Sequence, residues 1–213
     1  MKYAVVAMTL FCGASAFAQD LNLGLVTPPP VAESGIGKFR IGIYGEYWRP
    51  DFKDSKNLIT NAQGSGGIGG YLNFNVWEEA QIDLRVSVTY FFEFSTQSNT
   101  DSVGLEGVMA FIWRPFDMAG AGTPIHPYAG VGVAIDQIWS SVPIFSAKVD
   151  TIYGANFIVG ILIDLTPNLG FFVEGVYKYR ADGTVTFTLG ALSAKTDMSL
   201  NGGAVLAGFS FRP

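Results

Sequence analysis

From Lys38 onward the chain alternates apolar and polar residues in eight segments. In the first, "FRIGIYGEYW", Phe39, Ile41, Ile43, Gly45 and Tyr47 alternate with Arg40, Gly42, Tyr44, Glu46 and Trp48. A period of two puts the two sets on opposite faces of a β-strand. The second segment, Ile68 to Trp77, sets Leu72 and Phe74 against Tyr71 and Asn73. The third is the clearest: Ile82, Leu84, Val86, Val88, Tyr90, Phe92 and Phe94 face one way, and Gln81, Asp83, Arg85, Ser87, Thr89, Phe91 and Glu93 the other. The fourth to eighth segments centre on Leu105–Trp113, Ala129–Ile135, Tyr153–Ile163, Phe171–Tyr179 and Val205–Phe211. Met198 and Leu200 fall out of phase with the last, which predicts a bulge or loop before it.

The links alternate in length as well. Those after the second and sixth segments are short ("EEA", "TPNL"), and "PFDMAGAGTP" is moderate. The links at 49–67, 95–102, 137–150 and 181–196 are polar and mostly longer. Short turns at one end and long loops at the other are the asymmetry of outer-membrane barrels. The pattern predicts an all-β fold: an eight-stranded antiparallel transmembrane β-barrel, an up-and-down meander with both termini on the periplasmic side.

A soluble barrel would alternate too, with its greasy face inward. Two features point the other way. The charges within the segments gather on one face: Arg40, Glu46, Asp83, Arg85, Glu93, Glu106, Arg114, Asp136, Asp164, Glu174, Lys178 and Arg180. Aromatics of the greasy face collect near segment ends, with Phe39, Phe74, Trp113, Phe171 and Phe211 at one rim and Tyr47, Phe92, Phe94, Tyr153 and Tyr179 at the other. Such girdles suit the level where apolar rings meet headgroups. A basic residue on the lipid face at mid-depth costs about 2–4 kcal/mol, which is a physical reason to keep that face clear. The greasy side is therefore expected to face lipid.

Composition agrees. Glycine supplies 26 of 213 residues, above the usual share of about 7 %. Charged residues are 15 %, below the roughly 25 % of soluble domains. Mean hydropathy is +0.30, yet no apolar run after the first segment is long enough for a membrane-spanning helix. Residues 1–18 read as a signal peptide, with Lys2, an apolar stretch from Ala4 to Gly13, and Ala16-Phe17-Ala18 as the cleavage site. Phe11 before Cys12 argues against lipid attachment. Residues 19–37 read as a periplasmic proline-rich spacer around Pro28, Pro29 and Pro30, and residues 38–213 as the barrel. A net charge of −5 without a basic run argues against nucleic acid.

An eight-stranded barrel has an interior that side chains fill. Glu46, Glu106 and Glu174 are expected to pair there with some of Arg40, Arg85, Arg114 and Lys178, in pairings the sequence leaves open. Inward Tyr44, Trp48 and Phe91, near the external end, are candidates to line a conduit. "GSGGIG", Gly64 to Gly69, matches GxGxxG in form but has no βαβ context. With His126 as its one histidine, and that residue expected in a periplasmic turn, neither a metal site nor a cofactor is expected.

The signal junction "AFAQD", the segment "HPYAGVGVAID" and the aromatic last segment "GGAVLAGFSFRP" resemble the small outer-membrane β-barrel superfamily, which includes the OmpA transmembrane domain, OmpX and OmpW. The likeness runs from about Lys38 to Phe211. It implies residence in the bacterial outer membrane, contact with outer-membrane lipid and lipopolysaccharide, and folding by the barrel-assembly machinery. It also implies a structural role in the cell envelope with four surface loops or, alternatively, an OmpW-like narrow, porin-like conduit for small hydrophobic solutes. Enzymes of this architecture that act on lipid A use His and Ser near the external leaflet. His126 is expected at the other end, so no enzyme is expected. Two departures stand out: no peptidoglycan-binding domain follows the barrel, and Arg212-Pro213 follow Phe211 where members end on an aromatic residue. Loop residues such as "DFKDSKNLITNAQ" are available to a partner that nothing in them names.

Overall fold

The computed structural model describes residues 39–50, 53–54, 64–92, 101–115, 124–141, 146–149, 151–189 and 192–213. The expected signal peptide and proline-rich spacer lie outside these, as do Glu93 and Phe94. The described strands are β1 (Phe39–Pro50), β2 (Lys53–Asp54), β3 (Ser65–Trp77), β4 (Ile82–Phe92), β5 (Asp101–Trp113), β6 (Ile125–Ser141), β7 (Ser146–Val149), β8 (Ile152–Asp164), β9 (Leu169–Arg180), β10 (Gly183–Leu189), β11 (Leu192–Ser199) and β12 (Gly202–Phe211).

The eight long strands are the eight alternating segments. They pair antiparallel around the ring β1–β3–β4–β5–β6–β8–β9–β12, and β12 returns to β1 through pairs such as Ile43 with Phe209 and Tyr47 with Val205. Closure leaves none of these eight with an unpaired ladder edge, as a lipid environment demands of β-structure. We call the end with the short turns at 78–81 and 165–168 the turn end, and the opposite end the loop end.

Burial runs opposite to that of a water-soluble barrel. Along β1, Arg40, Tyr44, Glu46 and Trp48 are buried, while Ile41, Ile43 and Tyr47 are exposed. Glu174 and Lys178 are each 1 % exposed, whereas Ile43 is 66 % and Tyr153 62 % exposed. Phe74, Trp77, Trp113 and Phe211 ring the turn end of the outer face, and Tyr47, Tyr90, Phe92, Trp139 and Tyr153 the loop end.

Three details depart from the sequence expectation. β1 continues through Arg49, which was expected in the polar 49–67 link, and β3 begins at Ser65 rather than Ile68. His126 lies within β6, opposite Leu162 of β8, and not in a turn. Four short strands also appear where loops were expected. These continue the barrel's own ladders beyond its loop end. The β1–β12 ladder reaches Pro50 opposite Gly202, and β2–β11 carries on in the same register with Asp54 opposite Met198. The β8–β9 ladder has Gly154 opposite Arg180, and β7–β10 keeps step with Val149 opposite Val185. The loop or bulge expected near Met198 and Leu200 corresponds to the break between β11 and β12, where Leu200 is fully buried.

Candidate functional site

Alternation in β1, β3, β4, β5, β6, β8, β9 and β12 aims every second side chain into the barrel, where they form layers. Nearest the turn end, Arg114 grips Asp83 through two contacts of 3.1 Å, and Asn75 Nδ2 donates to Asp83 Oδ1 at 3.0 Å. In the middle layer Arg85 pairs with Glu174, and Tyr128 Oη donates to the same carboxylate at 2.6 Å. Arg85 Nε donates to Asn73 Oδ1 at 2.9 Å, and its guanidinium sits 4.3 Å from the Tyr71 ring centroid.

The third layer is a continuous chain of ions. Lys178 bridges Glu46 and Glu106, the latter at 2.7 Å. Arg180 bridges Glu106, at 2.6 Å, and Asp136, and its Nη1 donates to Asn156 Oδ1 at 2.8 Å. Thr89 Oγ1 donates to Glu46 Oε2 at 3.2 Å and lies 2.8 Å from Tyr44 Oη. The buried charges balance: Arg40, Arg85, Arg114, Lys178 and Arg180 match Glu46, Asp83, Glu106, Asp136 and Glu174 in number. Desolvating so many charges is tolerable because each carboxylate named here touches a basic partner.

Above this chain lies an apolar layer. Trp48 and Phe91 pack with ring centroids 5.4 Å apart, and Lys178 Nζ is 4.7 Å from each ring. Ile138, Ile152 and Leu200 are buried at the same end. Between the middle and ionic layers, among Tyr44, Arg85, Glu106, Glu174 and Lys178, remains a gap of about 20 Å³, the size that holds a water.

Inward glycines make the layers possible. Gly42 stands opposite Tyr71, Gly69 opposite Tyr44, and Gly160 opposite Tyr128. In each pair the phenol ring occupies the space a Cβ would need, at 2.1, 2.5 and 2.6 Å respectively. Three aromatic rings thereby lie flat against the wall and leave the centre to the ion pairs.

Of the residues expected in the polar interior, Glu46, Glu106 and Lys178 meet in one chain, Arg85 and Glu174 in another, and Arg40 is buried near the turn end. Arg114 takes Asp83 rather than one of the three glutamates. Of the residues considered for a conduit, Tyr44 belongs to the hydrogen-bonded layer, while Trp48 and Phe91 form the apolar one. The interior also uses Asp136, Arg180, Asn73, Asn156, Thr89 and Tyr128, none of which figured in the expected network. Their phase in the alternation marked them as inward; their partners depend on cross-strand register. His126 Nε2 lies 3.0 Å from Asp164 Oδ2 at the turn end. Among the described residues no cluster of His, Cys, Asp and Glu is arranged to hold a metal ion.

No family model and no curated protein matches the chain. Solved structures do. The outer membrane protein OprG from Pseudomonas aeruginosa is similar with a TM-score of 0.65 and 16 % identity, over 82 % of this chain and 95 % of that one. Neisserial surface protein A gives 0.58 and 14 %, over 83 % and 97 %. The outer membrane protein AlkL, solved in DMPC lipid bilayers, gives 0.55 and 13 %, over 86 % and 93 %. Likeness at such identities concerns the path of the backbone. Closed meander, polar interior and apolar exterior together give this chain the fold of the small eight-stranded outer-membrane β-barrels.

Proposed function

We propose that the protein is an integral component of the bacterial outer membrane, with a closed lumen, a structural role in the envelope and no catalytic activity. The observation that carries this reading is the ion chain Glu46–Lys178–Glu106–Arg180–Asp136, which crosses the lumen under the Trp48–Phe91 layer. An ion entering there would have to break several buried, charge-assisted contacts at once. The short turns face the periplasm and the loop end faces outward, offering four loops to the surroundings. Lipid and lipopolysaccharide cover the apolar exterior, and the barrel-assembly machinery inserts the chain, with β12 as its closing strand. His126 and Asp164 at the turn end lie away from the external leaflet, which supports a non-catalytic reading. The test is to refold residues 19–213 into lipid, verify folding by heat-dependent gel mobility, and record single-channel current. A folded and electrically silent barrel is expected; reproducible conductance altered by Glu106→Ala would overturn the closed lumen.

A second reading is favoured by the apolar layer itself. Trp48, Phe91, Ile138, Ile152 and Leu200 could floor a passage for small hydrophobic solutes entering from the loop end. That reading requires a hydrophobic quencher to reach Trp48 in the folded protein. Comparison of quenching in the wild type and in Trp48→Phe isolates the signal.

A further inference from the structure

Among the described side chains of the eight barrel strands, Arg49 is the charged residue that faces outward; the others point into the lumen or sit at its rim. It follows Tyr47 on the outer face of β1, at the loop end. Across the ladder it stands opposite Gly203 of β12, and Gly203 in turn stands opposite Tyr177 of β9. The row therefore reads Arg49, Gly203, Tyr177. A Cβ at Gly203 would meet no atom within 4 Å, so the middle of the row is an open floor. Two strand spacings, roughly 10 Å, separate the guanidinium-bearing strand from the tyrosine-bearing one. Tyr177 is 52 % exposed and borders the recess on the β9 side, whereas the Tyr47 ring lies the other way, with its hydroxyl over Gly64 on the β3 side of β1.

From this arrangement we infer that Arg49, Gly203 and Tyr177 form an external site for the phosphate group of an outer-leaflet lipid, of the kind carried by lipid A. Guanidinium presents a planar fork of donors that matches phosphate oxygens in pairs. The Tyr177 hydroxyl adds a donor at the level where an aromatic belt meets headgroups. Glycine keeps the floor low enough for a headgroup to approach between the two strands. A cation on this face is costly at mid-depth and tolerated near the interface, and a phosphate there gives it a counter-charge; among the described residues no carboxylate pairs with Arg49. The inference rests on the orientation given above, in which the loop end meets the outer leaflet.

The test uses the full barrel in phosphatidylcholine vesicles: alone, with bis-phosphorylated lipid A, with lipid A stripped of its phosphates, or with inorganic phosphate in the buffer. The readout is the midpoint temperature at which the folded gel mobility is lost. Bis-phosphorylated lipid A is expected to raise the wild-type midpoint by several degrees, and the stripped lipid and free phosphate to leave it unchanged. Arg49→Gln is expected to keep the midpoint in phosphatidylcholine and lose the rise. Gly203→Leu, which fills the floor from outside the barrel, is expected to do the same and serves if the first variant folds poorly. An equal rise in both variants, or with stripped lipid A, overturns the site. A rise with inorganic phosphate alone overturns the lipid source. Failure of the wild type to fold in plain vesicles would instead defeat the membrane reading, so the two failures are distinct.

Discussion

Tyr44 and Gly69 face each other across the β1–β3 ladder, and the phenol ring lies where a side chain on Gly69 would have to be. The glycine decides where the ring goes, and the ring decides where Thr89 and Glu46 find a partner. Gly69→Ala is expected to push the ring into the lumen and destabilise the barrel by about 1–3 kcal/mol, the usual cost of overpacking. Urea unfolding in vesicles checks it, with Gly45→Ala as control, since Gly45 faces outward with its nearest neighbour 4.0 Å away.

Lys178 holds two carboxylates, Glu46 and Glu106. Lys178→Met leaves Glu46 without its cation and is expected to cost about 3–5 kcal/mol, the range for breaking a buried pair. Glu106 keeps Arg180, so the damage should centre on Glu46. Adding Glu46→Gln to Lys178→Met is expected to recover part of the loss. A double-mutant cycle in urea reads the coupling.

The lumen is blocked in layers, so emptying one should not open it. Arg85→Ala with Glu174→Ala clears the middle layer but leaves the ion chain and the Trp48–Phe91 layer in place. Planar-bilayer recordings of that double variant are expected to remain silent. Steady conductance from it would mean that the layers act as one plug.

Gln81 closes the β3–β4 turn with a φ of 53°, in the left-handed region that costs a side-chain-bearing residue about 1–2 kcal/mol. Its Nε2 donates to the Glu78 carbonyl at 3.0 Å, which offsets part of that cost. Gln81→Gly is expected to be neutral to stabilising by about 1 kcal/mol, and Gln81→Val destabilising, as a β-branched side chain tolerates this region worst. Urea midpoints of the two variants decide it.

The sequence made the strands and their facing legible because a period of two is a local property. Phe39 to Trp48 reveals its buried and exposed sides within ten letters. What stayed hidden depends on register between distant strands. Asp83 and Arg114 both read as inward, yet nothing local brings them into contact; the β4–β5 ladder does, by placing Asp83 opposite Ile112, two residues before Arg114 on the same face. Arg49 was misread for the opposite reason. Its charge suggested a loop, while the alternation continued through it. Thr184 to Leu189 likewise carries a faint alternation of threonine with Val185 and Phe187, which its polarity masked.

The short strands beyond the rim have a practical consequence for anyone who edits them. Asp54 and Met198 stand in the same register as Pro50 and Gly202, so the two ladders share one phase across the breaks between them. One residue inserted in the β1–β2 link alone puts that phase out of step and turns the surface segment inside out. A matching insertion between β11 and β12 restores the pairing but not the facing, since a period of two needs an even number of added residues in each strand. Epitope grafting here becomes a question of parity, and two residues added to each link should be tolerated where one added to either is not.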